Sequence, residues 1–340
     1  MLKLCKGCGV LLQDSFKDEP GYTVSLSMDY CFNCFSLLHY GKDNSKREII
    51  NNVTISKKSV IFLVVNILEF NYLLQFDYKS VIKGHKTILL INKIDLLPPK
   101  TNLDKLSQNI LNKLSDENII DVILLSSLNK SDLDNLASYI ISSNYKEISL
   151  VGFENSGKTT IFKFLTSDKY SLSINKSGLT KNNVSGYFDD VQVTDTVGLT
   201  KVNSVYQYFN YETYKTLIPL HQINPKIYRL KKDETLFVEK LFIITNFHET
   251  ELSLVFFTNN YIIFHKTNKD KITNNINNEL VKGLLIDSTF VDSKFYKTVP
   301  DIKYEIMLAD VGLLHIQSPF SFTISHNKGL NVQLYEALFK

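Results

Sequence analysis

The sequence predicts an α/β protein: a mostly parallel sheet with helices on both faces, preceded by a small cysteine-rich module and followed by a β-rich region. Three observations carry this. Between residues 49 and 218, short β-branched runs alternate with stretches that place apolar residues three and four apart, the strand–helix alternation of a parallel sheet. The four cysteines of the 340-residue chain all fall before residue 35, in two CxxC pairs. After residue 218 the helical periodicity gives way to strand-like runs.

Composition narrows the class. Hydrophobic content of 44% and charged content of 21% are ordinary for a globular chain. A net charge of +3 and a pI near 8.4 are too weak to demand a nucleic-acid partner. Met1 to Cys5 runs into the cysteines with no apolar stretch, and the longest apolar run, Ser59 to Leu68, is too short to span a bilayer. The expectation is a soluble, cytoplasmic protein with no membrane partner.

The N-terminal module, residues 1–48, offers Cys5-x-x-Cys8 and Cys31-x-x-Cys34. Four thiolates satisfy a tetrahedral Zn²⁺ and leave no open position, so the zinc is expected to be structural. Metal binding would stabilise a segment too short for its own core. Two disulfides or a redox pair are the competing use of these cysteines, disfavoured inside a cell.

The central region, residues 49–218, is expected to hold strands at Ser59–Val65, Thr87–Ile91, Val122–Leu125, Ile148–Val151 and Val191–Thr194, with helices over Leu103–Leu114 and Leu133–Ile141. Gly152 to Thr159 reads GFENSGKT, a GxxxxGK[ST] loop between a strand and a helix. In that setting the loop residues Gly152, Glu154, Asn155, Ser156 and Gly157, with Thr160 behind them, surround phosphates with backbone amides at a helix start. Lys158 would reach the β and γ oxygens, and the Thr159 hydroxyl would ligate Mg²⁺.

Asn92-Lys93-Ile94-Asp95 follows a strand directly. A carboxylate at Asp95 accepts the N1–H and N2–H₂ edge of guanine, whereas adenine presents an acceptor there and forfeits about 1.5–3 kcal/mol per charge-assisted bond. Lys93 would lie along the base plane and Asn92 would tie the phosphate loop to this segment. Ser126-Ser127, after Val122–Leu125, would offer backbone amides to guanine O6. The ligands expected are GTP and GDP.

Two further segments follow the phosphate loop. In Ser177-Gly178-Leu179-Thr180, Thr180 would complete the Mg²⁺ shell. In Asp195-Thr196-Val197-Gly198, a DxxG motif, Asp195 would hold Mg²⁺ through water and the Gly198 amide would sense the γ-phosphate. Lys158, Asn155, Thr180 and Gly198 are thus the catalytic candidates. Leu199 stands where Ras-like enzymes carry a water-orienting Gln. Asn155 is either a tolerated loop residue or a holder of K⁺ beside the phosphates, whose charge would substitute for an arginine.

The motif order is NKxD, Ser-Ser, phosphate loop, switch I, DxxG. A conventional GTPase begins with the phosphate loop, so the domain is circularly permuted. The same sheet can form, because strand adjacency does not require sequence order. Switch II leads through Tyr206–Leu217 into the C-terminal region, which is expected to feel loss of the γ-phosphate.

That region, residues 219–340, contains Leu252–Thr258 and Tyr261–His265 flanking Asn259-Asn260, the pattern of a β-hairpin. Phe237, Phe242, Phe256, Phe257 and Tyr261 are expected in its core. Lys226, Arg229, Lys231 and Lys232 form a small basic cluster, either an RNA contact or a solvated face.

Through the segments Cys5–Gln13, Cys31–Tyr40, Asn92–Pro98, Gly152–Thr160 and Pro225–Leu230, the chain resembles the YqeH-type ribosome-biogenesis GTPases over essentially its whole length. The resemblance implies GTP hydrolysis by the central domain, flanking domains that contact ribosomal RNA or protein, and a role in small-subunit assembly. The chain departs from the family at Asn66, where an Asp usually ends the first strand, and at Leu179 and Val197. These departures bear on turnover more than on nucleotide binding. The alternative is a catalytically weak guanine-nucleotide module acting on a protein partner.

Overall fold

The structure, a computed structural model, describes residues 3–6, 10–17, 19–40, 53–114, 116–166, 183–277, 282–292, 295–317 and 321–339. Cys8 and the expected switch I, Ser177–Thr180, lie outside these residues. The chain forms two compact units, one of Met1–Asp95 with Ile110–Lys201, the other of Leu96–Asn109 with Val202–Lys340. No helix is long and apolar enough to cross a membrane among the described residues.

The elements of the first half, in order, are α1 (Phe32–Tyr40), β1 (Val60–Asn66), α2 (Phe70–Gln75), α3 (Tyr78–Ile82), β2 (Thr87–Asn92), α4 (Leu103–Lys113), β3 (Ile119–Leu124), α5 (Lys130–Ser142), β4 (Glu147–Gly152), α6 (Lys158–Thr166), β5 (Val184–Phe188) and β6 (Val191–Asp195). The strands form one sheet in the order β3-β2-β1-β4-β6-β5. Pairings from β3 to β6 are parallel, and β5 turns back antiparallel at the edge. β1 (VIFLVVN) and β2 (TILLIN) are aliphatic without alternation and almost wholly buried, as central strands covered on both faces must be. β5 alternates between half-buried and exposed positions, as an edge strand does. On one face Phe62, Val64, Ile88, Leu90, Ile148 and Leu150 share a core with Leu136 of α5 and Phe162 of α6.

The second unit continues with α7 (Tyr211–Leu217), β7 (Lys226–Leu230), β8 (Glu234–Val238), β9 (Phe242–Asn246), β10 (Leu252–Thr258), β11 (Phe264–Asn268), α8 (Ile272–Asn277), β12 (Phe290–Asp292), β13 (Tyr296–Lys297), β14 (Lys303–Leu308), β15 (Gly312–Gln317), β16 (Ser321–Asn327) and β17 (Val332–Glu336). Two sheets run β17-β14-β15-β10-β7 and β11-β8-β9-β16-β12, with β13 beside β16. Leu236, Phe242 and Ile244 of one and Leu254, Phe256 and Leu314 of the other meet in one core, the arrangement of a β-sandwich.

The expected hairpin at Asn259-Asn260 does not form. β10 pairs with β7 and β15, whereas β11 pairs with β8, so the chain crosses from one sheet to the other. A two-residue hairpin turn needs positive φ, and neither asparagine is among the residues that adopt it. Instead Asn259 Nδ2 donates to Ile218 O (2.6 Å) and Ile262 is buried in the core. Tyr261, expected inside, is 76% exposed for the same reason, while Phe237, Phe242, Phe256 and Phe257 are buried.

Two of the four residues of the basic cluster face carboxylates. Lys226 Nζ donates to the carbonyls of Asn260 and Ile262, Arg229 faces Glu251, and Lys232 pairs with Glu249.

The turn between β8 and β9 places Glu239 and Lys240 at φ 54° and 38°. Glu239 is buried, and its carboxylate accepts the amides of Ile263 (2.8 Å) and Leu284 (2.9 Å). Glu239→Ala should therefore strand both amides and lower stability by about 1–3 kcal/mol for each, read as a lower denaturant midpoint of the full chain.

Candidate functional site

Parallel registry brings three motif starts to one edge of the sheet. Asn66 at the end of β1 lies opposite Asn92 at the end of β2. Val64 lies opposite Gly152, where β4 enters the phosphate loop. Leu150 lies opposite Asp195, the end of β6. The loop itself depends on two glycines: a Cβ on Gly152 would come within 2.1 Å of Val64 O, and one on Gly157 (φ 102°) within 2.1 Å of Asn92 Nδ2. Asn155 adopts φ 62°, a left-handed conformation that Asn tolerates better than most residues.

Asn92 is fully buried and makes three hydrogen bonds to two other segments at once. Its Nδ2 donates to Ser156 O (2.8 Å) in the phosphate loop and to Ser127 Oγ (3.1 Å). Its Oδ1 accepts the Ser127 amide (2.8 Å). The second serine of Ser126-Ser127 is thus used: its hydroxyl and amide bracket one side chain. Ser126 Oγ donates to Asp95 Oδ1 (2.6 Å) and orients the carboxylate. The Ser126 amide donates to Asp132 Oδ2 (2.7 Å). Both serine amides, expected to face guanine O6, therefore already have side-chain acceptors here. Lys93 follows Asn92 with φ 65°. The residue as a whole is half-buried, yet desolvation draws its ammonium down to about 8, with Glu69 the strongest charge opposing that fall.

At the other end, Lys158 is buried and donates to Gly152 O (3.0 Å) and Phe153 O (2.9 Å). Burial lowers its pKa against the pull of Asp195 and Glu154. Thr159 Oγ1 donates to Asp195 Oδ2 (2.6 Å). Asp195 Oδ1 is buried without a hydrogen-bond partner among the described residues, and burial raises the carboxyl to about 6. A hydroxyl beside a desolvated, half-satisfied carboxylate is a hard-oxygen donor set that fits Mg²⁺. Gly198 approaches the loop closely; a Cβ there would meet Glu154 Cγ at 2.9 Å and Cα at 3.0 Å. Leu199 is tied to the loop in both directions, Leu199 N to Gly152 O and Glu154 N to Leu199 O, each 3.0 Å. Thr160 lies in the first turn of α6, its amide donating to Gly157 O.

Asp132, Glu69 and Lys201 belong to this neighbourhood and carry no sequence signal. Asp132 sits six residues after Ser126 and holds its amide. Glu69 and Lys201 form a buried ion pair of 2.8 Å, 132 positions apart. Asn66, the departure at the end of the first strand, accepts the Leu68 amide through Oδ1 (3.2 Å), as a carboxylate would.

In the N-terminal module, the sulfurs of Cys5, Cys31 and Cys34 lie within 4.8 Å of one another and all three residues are buried. The Cys31 amide donates to Cys5 Sγ (3.2 Å) and the Cys34 amide to Cys31 Sγ (3.5 Å), which favours thiolates. Sulfurs around tetrahedral Zn²⁺ stand about 3.8 Å apart, so the cluster fits the metal, with the fourth expected ligand, Cys8, outside the described residues.

Two outcomes follow. Ser127→Ala removes one acceptor from Asn92 and should weaken GDP binding about two- to tenfold, whereas Asn92→Ala removes the whole knot and should weaken it by at least about tenfold, both read by fluorescent-GDP titration. Elemental analysis should find one zinc per chain, and Cys31→Ser should lose the metal together with thermal stability.

Comparison with known proteins agrees with this geometry. A family described as "50S ribosome-binding GTPase" matches residues 147–248. The match starts at β4, before the phosphate loop, and leaves out Asn92–Asp95, as a permuted order requires. "Uncharacterized protein YqeH" of Bacillus subtilis (strain 168) is 24% identical over 257 residues, 69% of either chain. "NO-associated protein 1, chloroplastic/mitochondrial" of Arabidopsis thaliana is 24% identical over 193 residues, 47% of this chain and 34% of that protein. The reversed motif order, the buried cysteine cluster and these likenesses together fit a YqeH-type, circularly permuted GTPase.

Proposed function

We propose that this GTPase is a nucleotide-controlled ribosome assembly factor acting on the small subunit. The observation that carries the nucleotide part is the Asn92 knot: one buried amide ties the segment bearing Asp95 to the loop bearing Lys158. A guanine base at Asp95 and phosphates at Lys158 then belong to one ligand. Mg²⁺ held by Thr159, Asp195 and, in the GTP state, Thr180 would neutralise charge on the β and γ oxygens. The chain's own residues position: Lys158 exchanges loop carbonyls for phosphate oxygens, and the Gly198 amide reads the γ-phosphate. Asn155 is proposed to hold K⁺ beside that phosphate, since no glutamine follows Gly198.

The ribosomal part rests on likeness to a family described as binding the 50S ribosome, and the choice of the small subunit rests on the YqeH-type resemblance alone. The finger (1–48), the GTPase domain (49–218) and the C-terminal region (219–340) are proposed as three working parts, with the outer two contacting ribosomal RNA or protein in the cytoplasm.

A second reading has its own support. Leu199 is pinned by its backbone to the loop and offers no group to orient water, and two of the four residues of the C-terminal basic cluster are paired with carboxylates. These favour a slow switch that addresses a protein.

Co-sedimentation with small and large ribosomal subunits, with a GTP analogue or GDP, tests the first reading. Small-subunit association that requires the GTP form is expected; association indifferent to nucleotide, or with the large subunit alone, would overturn it. Single-turnover hydrolysis should run faster in K⁺ than in Na⁺ and accelerate with subunits. Equal, negligible rates throughout would favour the second reading.

A further inference from the structure

One buried ion pair of the nucleotide site belongs to none of its motifs. Glu69 closes the short turn after β1 and is 6% exposed; Lys201, three residues past Gly198, is 5% exposed. Lys201 Nζ meets Glu69 Oε1 at 2.8 Å. Glu69 Oε2 is buried with no hydrogen-bond partner among the described residues. Taking two charges out of water is tolerated when they meet, and removing one strands the other. Such a pair fixes the chain at both of its ends.

Its position gives the pair a use. β1 lies between β2, which leads to Asn92–Asp95, and β4, which leads to the phosphate loop. The turn that carries Glu69 therefore emerges between the base end and the phosphate end of the site. Lys201 is the point to which the DxxG segment is tied after Leu199 has bonded the loop. We propose that Glu69 is a positioning residue shared by both ends of the nucleotide: it anchors switch II through Lys201, and from the turn after β1, beside the β2 continuation that carries Lys93, it places negative charge on the base side. The inference rests on the guanine-nucleotide reading and deepens it, since it makes one carboxylate answerable to base and γ-phosphate alike.

Lys93 supplies a readout that packing alone would not move. The charged groups acting on it are Glu69, Lys201 and Asp95. Glu69 and Asp95 favour its ammonium, Lys201 opposes it, and burial brings it to about 8. Protonated Lys93 attracts the π-face of the base. GDP affinity should therefore hold below pH 8 and fall as pH rises through it.

The experiment titrates fluorescent GDP against the full chain from pH 6.5 to 9.5 for wild type, Glu69→Gln, Glu69→Asp and Lys201→Met. Glu69→Gln should move the fall in affinity to lower pH by about one unit and Lys201→Met should move it to higher pH, while Glu69→Asp stays near wild type. Both charge-removing variants should slow single-turnover GTP hydrolysis at pH 7. If Glu69→Gln fails to fold, as circular dichroism would show, Lys201→Met still carries the test through its upward shift. Unshifted profiles in folded variants, or shifts of the same sign, would overturn the proposal. A wild-type protein that binds ADP as well as GDP would instead sink the guanine reading itself.

Discussion

Parallel pairing of β2, β1, β4 and β6 is the constraint from which the site follows. Four strands running the same way must release their chains at the same edge, and ligands of open α/β sheets gather there. The segments proposed to read the base, surround the phosphates and hold Mg²⁺ continue from the ends of β2, β4 and β6. Their order along the chain does not enter. A permuted gene rearranges the connections between strands and leaves the edge intact.

The motifs that were legible in the sequence are those whose chemistry is local. The loop from Gly152 to Thr159, the strand before it and the helix after it occupy one stretch of chain, as do Asn92–Asp95 and Asp195–Gly198. What escaped were interactions that exist only after folding. Nothing in ILEF at 67–70 marks Glu69 as the partner of a lysine after DxxG. Ser126-Ser127 reads in the sequence as a source of amides for the base, yet Asn92 and Asp132 accept those amides. The Asn259-Asn260 turn failed because a hairpin signal says which residues can turn and not which sheet the next strand will join.

Electrostatics unify the site. Lys93, Lys158 and Lys201 converge on a region where Glu69, Glu154 and Asp195 supply the opposing charge. Burial depresses the ammonium of Lys93 and Lys158 and raises the Asp195 carboxyl. Each shift marks a charge poorly solvated by protein alone. A polyanion with its divalent cation would supply the missing counter-charges, in keeping with the nucleotide reading proposed above.

The side chain at position 92 must give hydrogen bonds to one segment while receiving one from another, within a space that closes on Gly157. Aspartate has the outline and lacks the donor; glutamine has both groups and one methylene too many; serine falls short of the phosphate loop. The geometry at this position therefore selects asparagine over each of its chemical near neighbours.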